Sequence, residues 1–163
     1  MLNRAFVRDG RPYPPSSALE FELLPGVEEA VAKLKAAKFF VVVVTNQPDV
    51  ARGTCKEATV DGIHAELRRL LPVDDVLCCF HDDDDQCACR KPKPGMLFDA
   101  EESLNIDLKR SFMVGDRWRD IEAGQNAGCT TFFIDYGYRE RSPAAAPDHI
   151  CGSLLEVAEQ ILQ

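Results

Sequence analysis

The sequence has no apolar run that approaches the roughly 20 residues needed to span a membrane. It also has no long apolar stretch within Met1–Asp9, so we expect no signal peptide there. A basic excess is missing too, since the 163 residues carry a formal net charge of −8. Nucleic acids and anionic membranes bind basic surfaces, so we expect neither as a partner. A small phosphorylated metabolite needs only a local basic turn and fits this charge balance.

Internal repeats are absent, and we expect the one low-complexity tract, Asp82–Asp85, to be a solvated loop tip. With 45% hydrophobic and 28% charged residues, the composition is that of a globular protein. We therefore expect residues 1–163 to form a single domain with its own core. The seven cysteines are an odd number without a secretory context, which indicates a reducing cytoplasm and metal binding rather than disulfides.

One short stretch, Cys79–Gly95, combines a metal-ligand pattern with a basic turn. Its first half reads C-x-H-x5-C-x-C, and the candidate ligands are Cys79, His81, Cys87 and Cys89. Three thiolates and one imidazole suit tetrahedral zinc, and four protein ligands leave no open position, so the site should be structural. Disulfides or free buried thiols are the alternative. Cysteines spaced this closely pair poorly, and the histidine would then have no role.

Apolar runs alternate with amphipathic segments, which predicts an α/β fold with a mainly parallel sheet. A continuous apolar run at 39–44 is typical of a strand that is buried on both faces. Further strands are predicted at 76–80, 111–114 and 130–134. A first helix is predicted to begin at Pro25-Gly26, and further helices are predicted at 57–71, 95–104, 120–127 and 154–162. Residues 4–13 are predicted to form a hairpin, because Asp9-Gly10 is a strong turn signal.

Polar residues follow these strands, at the sheet edge where α/β proteins bind their ligands. They are Thr45-Asn46-Gln47, Arg90-Lys91 and Gly115-Asp116. Lys91 lies in a turn stiffened by prolines, where a fixed cation can hold a phosphoryl group. Asp116 and Asp120 are one helical turn apart and would suit Mg²⁺, which prefers hard oxygen ligands. Each of these residues also has a purely structural interpretation. Thr45 could cap the end of its strand, the turn with Arg90-Lys91 could be a solvated basic loop, and Asp120 could stabilise the N-terminus of a helix through its charge.

Three segments carry a resemblance to a known family: V-V-V-V-T-N-Q, C-x-H…C-x-C-R-K-P-K-P-G-M and M-V-G-D-R-W-R-D-I-E-A-G. They resemble the haloacid dehalogenase-like (HAD-like) phosphatases. More narrowly, they are similar to the zinc-containing branch that holds heptose 1,7-bisphosphate phosphatase and the histidinol-phosphate phosphatase domain. The resemblance runs from about Leu2 to Leu162. It implies a Rossmann-like three-layer sandwich and Mg²⁺-dependent hydrolysis of a phosphomonoester through a phospho-aspartate.

The resemblance also implies residue roles. Thr45, Lys91 and Asp116 match catalytic positions, and Asn46, Arg90 and Arg117 match or adjoin substrate contacts. Asp116 is implied as a magnesium ligand, and Asp120 is implied as the second carboxylate of the magnesium site. Cys79, His81, Cys87 and Cys89 match the structural zinc ligands, and the early hairpin resembles a small flap over the active site.

The first motif of the family, D-x-D-G at the end of a strand, is not found in this sequence. Its aspartates serve as nucleophile and acid/base, whereas Met1-Leu2-Asn3 aligns just after that motif. Asp9 belongs to the hairpin turn and is a poor substitute. We therefore expect an N-terminally truncated form with a gap in the sheet and reduced activity. A gap leaves strand edges unpaired, which favours a homodimer formed by strand exchange.

The leading hypothesis is a Mg²⁺-dependent phosphatase acting on a sugar phosphate of the heptose 1,7-bisphosphate type. Histidinol phosphate is an alternative substrate. A second hypothesis is a catalytically inactive, zinc-stabilised remnant that binds a phosphorylated ligand or a protein partner. A zinc-containing nucleic-acid module is opposed by the net charge of −8.

Overall fold

The computed structural model describes residues 1–163. The strands are Phe6–Arg8 (β1), Arg11–Tyr13 (β2), Val42–Asn46 (β3), Asp75–Cys79 (β4), Phe112–Gly115 (β5), Thr130–Ile134 (β6) and His149–Cys151 (β7). The helices are Val27–Ala36 (α1), Pro48–Ala51 (α2), Glu57–Leu70 (α3), Gly95–Leu104 (α4), Trp118–Ala127 (α5) and Leu154–Ile161 (α6). Strands and helices alternate, so the predicted α/β class is confirmed. No helix combines the length and apolar character that crossing a membrane requires.

The parallel strands form two groups. β3 pairs with β4, with Val42 opposite Asp75 and Asn46 opposite Cys79. β6 lies between β5 and β7 and pairs in parallel with both. Helices α4 and α5 pack on these strands, and α1 packs along α6.

The hairpin β1–β2 is antiparallel and separate from the parallel strands. Its turn residues Asp9 and Gly10 have positive φ angles of 53° and 77°. Two positive angles in succession are what a tight hairpin turn requires, and glycine adopts them without strain. The predicted hairpin is therefore present, and Asp9 lies in its turn.

A gap separates β3 from β5. Each of these strands has one paired edge, towards β4 and β6 respectively, and one edge without a strand partner. Both unpaired edges border the same cavity, whose volume is about 690 Å³. The sequence analysis expected a gap in the sheet, and no strand of the structure pairs with both β3 and β5.

The gap also changes the burial of β3. The prediction of a strand buried on both faces is wrong, because every residue of Val42–Asn46 stays partly exposed. The predicted start was wrong as well: the strand begins at Val42, and the ring of Phe40 is 56% exposed. An apolar strand is left partly open to solvent here because no strand covers its second edge.

Two apolar clusters support the parallel strands. The larger combines α1, the end of α3, β6 and α6, and its fully buried members include Val31, Leu71, Ile134 and Val157. The smaller contains Leu97, Leu108, Met113, Ala123 and Cys129, on the side of α4 and α5. Together they fix the strands whose carboxyl ends carry the candidate site.

Candidate active site and metal cluster

Lys91 is the centre of the polar group at the carboxyl ends of the strands. Its ammonium donates to the Val44 carbonyl at 2.7 Å and to Asp120 Oδ1 at 2.6 Å. Lys91 and Asp120 are 9% and 7% exposed, so this ion pair is buried. The pair joins the end of β3 to the first turn of α5, across the mouth of the gap.

The turn that carries Lys91 is clamped by Asn46. The Asn46 side chain donates to the Lys91 carbonyl at 3.0 Å and accepts from the Lys91 backbone amide at 3.1 Å. Thr45, the preceding residue, accepts a hydrogen bond from the Gln47 side chain at 3.2 Å. The last residues of β3 therefore set the position of the basic turn and present a hydroxyl next to it.

Gly115 makes room for the Asp120 side chain. A Cβ atom at Gly115 would lie 2.1 Å from the Cβ of Asp120, so no larger residue fits without a shift. Asp120 accepts from the Arg117 amide at 3.1 Å through Oδ2 and thereby caps α5. The two carboxylate oxygens of Asp120 are thus occupied by the Lys91 ammonium and the Arg117 amide. The second contact gives Asp120 the role at the helix N-terminus that the sequence left open as an alternative. Magnesium binding by Asp120 stays a prediction.

Asp116 has a different environment. Its side chain is 13% exposed, and Oδ2 lies 2.8 Å from the Met1 α-ammonium. Asp116 borders the cavity together with Thr45, Lys91 and Asp120. Mg²⁺ commonly uses one or two carboxylates and keeps several waters, so Asp116 fits as one hard oxygen donor of such a site.

The predicted substrate residues Arg90 and Arg117 are not among the residues that line this cavity. Arg90 donates to Asp83 Oδ1 at 2.8 Å and to the His81 carbonyl at 3.1 Å, and it is buried. Arg117 forms an ion pair with Glu140. Burial disfavours the Arg117 cation, but the Glu140 carboxylate outweighs this and raises the pKa of Arg117. The structure thus gathers Thr45, Lys91 and Asp116 and leaves both arginines in neighbouring ion pairs.

The four predicted metal ligands lie together. The ligand atoms of Cys79, His81, Cys87 and Cys89 all lie within 4.8 Å of one another. The three Sγ–Sγ distances are 3.0, 3.5 and 3.7 Å, and His81 Nδ1 lies 3.3 Å from Cys89 Sγ. Zn–S bonds of about 2.3 Å in a tetrahedron place sulfurs about 3.8 Å apart, so the cluster could hold a metal ion such as zinc.

The thiols of the cluster differ in their pKa. Burial raises the pKa of Cys79 and Cys89, whereas at Cys87 burial is outweighed by hydrogen bonds from the Arg90 backbone and Cys89, which lower the pKa. Burial, followed by the neighbouring sulfurs, raises the pKa of Cys89 to about 12. A bound cation would favour the thiolates and release their protons. All seven cysteines are free thiols, so no disulfide competes for these ligands.

The acidic tract Asp82–Asp85 lies between the ligands His81 and Cys87, and three of its four aspartates are exposed, as expected of a solvated loop tip. Asp82 caps a short turn at Asp83–Asp85 and accepts from Arg52 at 2.6 and 2.8 Å. The Arg52 guanidinium lowers the pKa of Asp82 to about 2. Asp83 accepts from Arg90 and also from Arg119, at 3.0 and 3.2 Å.

Sequence reasoning missed these positioning residues. Arg52, Asp83, Arg119 and Glu140 act through partners up to 36 residues away. Isolated charges of this kind form no local pattern. The one available signal was the tract of four aspartates, whose compensation by arginines elsewhere becomes visible only in the fold.

Comparison with known proteins gives concordant results. A profile of the HAD-hydrolase-like family matches residues 88–157. The D-glycero-β-D-manno-heptose-1,7-bisphosphate 7-phosphatase of Bordetella bronchiseptica is 39% identical over 153 residues, covering 88% of this chain and 86% of that protein. The protein of the same name from Escherichia coli K12 is 34% identical over 155 residues, covering 86% and 81%.

Solved structures agree with this. The crystal structure of D,D-heptose 1,7-bisphosphate phosphatase from B. bronchiseptica, complexed with magnesium and phosphate, is 36% identical and has a TM-score of 0.83. The match covers 99% of this chain and 93% of that one. The phosphatase of the same name from Burkholderia thailandensis is 26% identical with a TM-score of 0.62, covering 96% and 95%. The chain therefore belongs to the haloacid dehalogenase-like hydrolases.

Proposed function

We propose that this protein is a Mg²⁺-dependent phosphomonoester hydrolase whose substrate is a sugar phosphate of the heptose 1,7-bisphosphate type. The observation that carries the proposal is the grouping of Thr45, Lys91 and Asp116 around one cavity at the carboxyl ends of β3 and β5. Support for the substrate class comes from relatives at 34–39% identity that bear the name of heptose bisphosphate phosphatases. A small phosphorylated metabolite also suits the net charge of −8, since only the local site is basic.

Each residue has a role that follows from its contacts. Lys91 binds a phosphoryl oxygen through its ammonium, and Asp120 and the Val44 carbonyl hold that ammonium in place. The Thr45 hydroxyl donates to the same phosphoryl group. Asp116 would hold the magnesium ion, which when bound neutralises charge on the phosphoryl oxygens. Arg90 and Arg117 are proposed as substrate contacts that Asp83 and Glu140 orient.

The polypeptide Met1–Gln163, taken by itself, is expected to turn over slowly. No aspartate other than Asp116 and Asp120 borders the cavity at its carboxyl end, and both already have other proposed roles. Asp9 lies in the hairpin turn and is not among the residues that line the cavity. A phosphoryl transfer that lacks its nucleophile loses several orders of magnitude in rate, about 10³-fold or more.

The test uses two forms of the protein, Met1–Gln163 and the same chain preceded by a strand that ends in D-x-D-G. Phosphate release is measured with Mg²⁺ from heptose 1,7-bisphosphate and from histidinol phosphate. The proposal expects the extended form to hydrolyse the heptose bisphosphate with the higher kcat/KM. A preference for histidinol phosphate would move the substrate assignment to that alternative, and no hydrolysis of either would remove the phosphatase proposal.

A second candidate function is that of a non-catalytic binder, because no aspartate other than Asp116 and Asp120 borders the cavity at its carboxyl end. Such a protein would bind a phosphorylated ligand at Lys91 and Thr45 without magnesium and without turnover. Calorimetry with inorganic phosphate distinguishes the two functions. Binding that is independent of Mg²⁺ and is lost in Lys91→Ala supports the non-catalytic binder, and binding that requires Mg²⁺ supports the phosphatase.

We propose zinc as the ion of the Cys79–Cys89 cluster, since its donor set is three sulfurs and one imidazole. Seven free thiols suit a reducing cytoplasm. A homodimer formed by strand exchange stays a prediction, as does a single domain over residues 1–163.

A further inference from the structure

We propose that a groove lined by three arginines is a subsite for the second, non-reacting phosphate of a bisphosphate substrate, an inference that rests on the proposed phosphatase function. The arginines are Arg11, Arg139 and Arg141, and Trp118 and Glu140 complete the lining. This arginine groove has a volume of about 540 Å³. It shares no residue with the cavity of the candidate active site, so it is a separate surface of the protein.

The arginine groove carries positive charge that the protein itself does not neutralise. Arg11 and Arg139 are exposed, form no ion pair and donate no side-chain hydrogen bond. Glu140 is the one acidic residue of the groove, and its carboxylate is already paired with Arg117. The groove is therefore basic within a chain whose net charge is −8. Neighbouring cations are stabilised by a bound anion, and the planar guanidinium matches the oxygens of a phosphate.

Backbone and stacking contacts fix the shape of the arginine groove. The Arg139 amide donates to the Gly10 carbonyl at 2.8 Å, which ties the loop after β6 to the turn of the hairpin. The two residues are packed closely, since a Cβ atom at Gly10 would lie 2.6 Å from Arg139 Cγ. The Arg141 guanidinium lies 3.4 Å from the centre of the Trp118 ring and pairs with Glu122 at 2.8 Å. A site that is fixed before the ligand arrives loses less entropy on binding.

The arginine groove lies beside the candidate active site, because both use the start of α5. Trp118 follows Asp116 by two residues, so their Cα atoms are at most about 7.6 Å apart. Tyr138 precedes Arg139 and is also close to Asp116, since burial and the Asp116 carboxylate raise the pKa of Tyr138 to about 12. A sugar whose reacting phosphate is bound by Lys91 can therefore place a second phosphate in the groove.

This arrangement distinguishes between the two candidate substrates. Heptose 1,7-bisphosphate supplies one phosphate to Lys91 and another to the arginine groove. Histidinol phosphate has a single phosphate, and its protonated amine would be repelled by the unpaired cations of Arg11 and Arg139. Charge-assisted hydrogen bonds to two unpaired arginines should strengthen binding of a bisphosphate by about tenfold or more. The groove thus favours a sugar with phosphates at both ends.

The test measures the binding of two ligands to Met1–Gln163 by calorimetry in the presence of Mg²⁺. The ligands are heptose 1,7-bisphosphate and heptose 7-phosphate, which lacks the second phosphate. The parent protein should bind the bisphosphate about tenfold more tightly or better. The double variant Arg11→Gln/Arg139→Gln should lose this preference and keep the affinity of the parent for heptose 7-phosphate. The matched control is Arg8→Gln, which should retain the preference, since Arg8 lies opposite Arg11 on the hairpin but does not line the groove.

Thermal melts of the double variant and the parent should coincide, because both substituted arginines are exposed. Equal affinities of the parent for the two ligands, or no binding of either, would overturn the subsite. So would a preference that survives in the double variant, or a double variant that loses heptose 7-phosphate as well. Phosphate release by the form that carries D-x-D-G is measured separately. A phosphatase without this preference would therefore refute the subsite and leave the proposed function standing.

Discussion

Lys91 and Asp120 are the residues on which the candidate site most depends. Their ion pair measures 2.6 Å and is buried, and each partner also has a backbone contact, to Val44 and to Arg117. A buried pair adds modest net stability, but removal of one partner leaves an uncompensated charge in a low-dielectric setting. The G-D-x3-D and R-K-P patterns led us to expect Asp120 and Lys91 at the site, but their direct contact was not readable from the sequence.

Lys91→Ala is expected to lower the free energy of unfolding by about 3–5 kcal/mol, because Asp120 is left buried and unpaired. The measurement is urea denaturation, with Lys109→Ala as the control at an exposed lysine without an ion pair. The double variant Lys91→Ala/Asp120→Ala should be less destabilised than the sum of the single changes. Strict additivity would contradict a direct coupling of the two side chains.

Asp148 gives the protein a pH-dependent contact. Hydrogen bonds from the Thr131 hydroxyl and amide, both at 2.7 Å, hold the pKa of Asp148 below its ordinary value. A lowered carboxyl pKa stabilises the fold above the unfolded-state pKa of about 3.9, and the stabilisation is lost as the pH falls through the folded-state pKa.

Asp148→Asn should therefore lower the Tm at neutral pH, and its difference from the parent protein should shrink below about pH 4. Thermal melts of both proteins across this pH range measure the difference in Tm. Both proteins carry the same metal cluster, so any effect of pH on that cluster is common to both and drops out of the difference. Asp99→Asn, at an exposed aspartate of α4, serves as the control. A difference that is the same at every pH would refute the role of the ionised carboxylate.

At the scale of elements, the junction of β5 and α5 depends on one glycine. Gly115 admits the Asp120 side chain, and a Cβ atom there would meet Asp120 at 2.1 Å. Gly115→Ala is expected to destabilise the protein by about 1–3 kcal/mol, the usual cost of overpacking, and to displace the partner of Lys91.

Gly62→Ala is the matched control, since a Cβ atom at Gly62, inside α3, has no neighbour within 4 Å. Alanine is the better helix former, so this change should stabilise by up to about 1 kcal/mol. Denaturation curves that show the same sign for both substitutions would contradict the close approach at Gly115.

The metal loop is the second element with a direct test. Cys87→Ala removes one of four ligands, and the loss of several kcal/mol of metal binding should lower the Tm by about 10 °C or more. Cys55→Ala, outside the cluster, should leave the melting curve unchanged. A chelator should abolish the difference between Cys87→Ala and the parent. An unchanged melting curve for Cys87→Ala would count against a structural metal.

Much of the element order was predictable from local pattern. Asp9-Gly10 identified the hairpin, and the close spacing of cysteines and histidine identified the ligand cluster, because both are short-range signals. The bounds of β3 were not predictable, since Phe39 is directed to an aromatic contact with Phe112, far along the chain. The pairing of Arg90 with Asp83 was missed for the same reason, as charge positions alone do not specify partners.

At the scale of the whole molecule, the interrupted sheet links structure and function. β3 and β5 carry Thr45 and lead into Asp116, and the cavity between them is lined by both residues. Relatives named as heptose bisphosphate phosphatases match most of this chain, so the fold around the gap is that of the HAD-like hydrolases. A strand placed in this gap would end beside Asp116, where a phosphoryl acceptor is needed.

The measurement that tests this account most directly is Mg²⁺-dependent phosphate release from heptose 1,7-bisphosphate at enzyme concentrations close to that of the substrate. The account predicts little or no turnover by Met1–Gln163 and strong turnover once a strand ending in D-x-D-G precedes Met1, with activity lost in Asp116→Asn. Fast, Mg²⁺-dependent turnover by Met1–Gln163 itself, abolished by Asp116→Asn, would contradict it, because a nucleophile would then have to lie elsewhere in the chain.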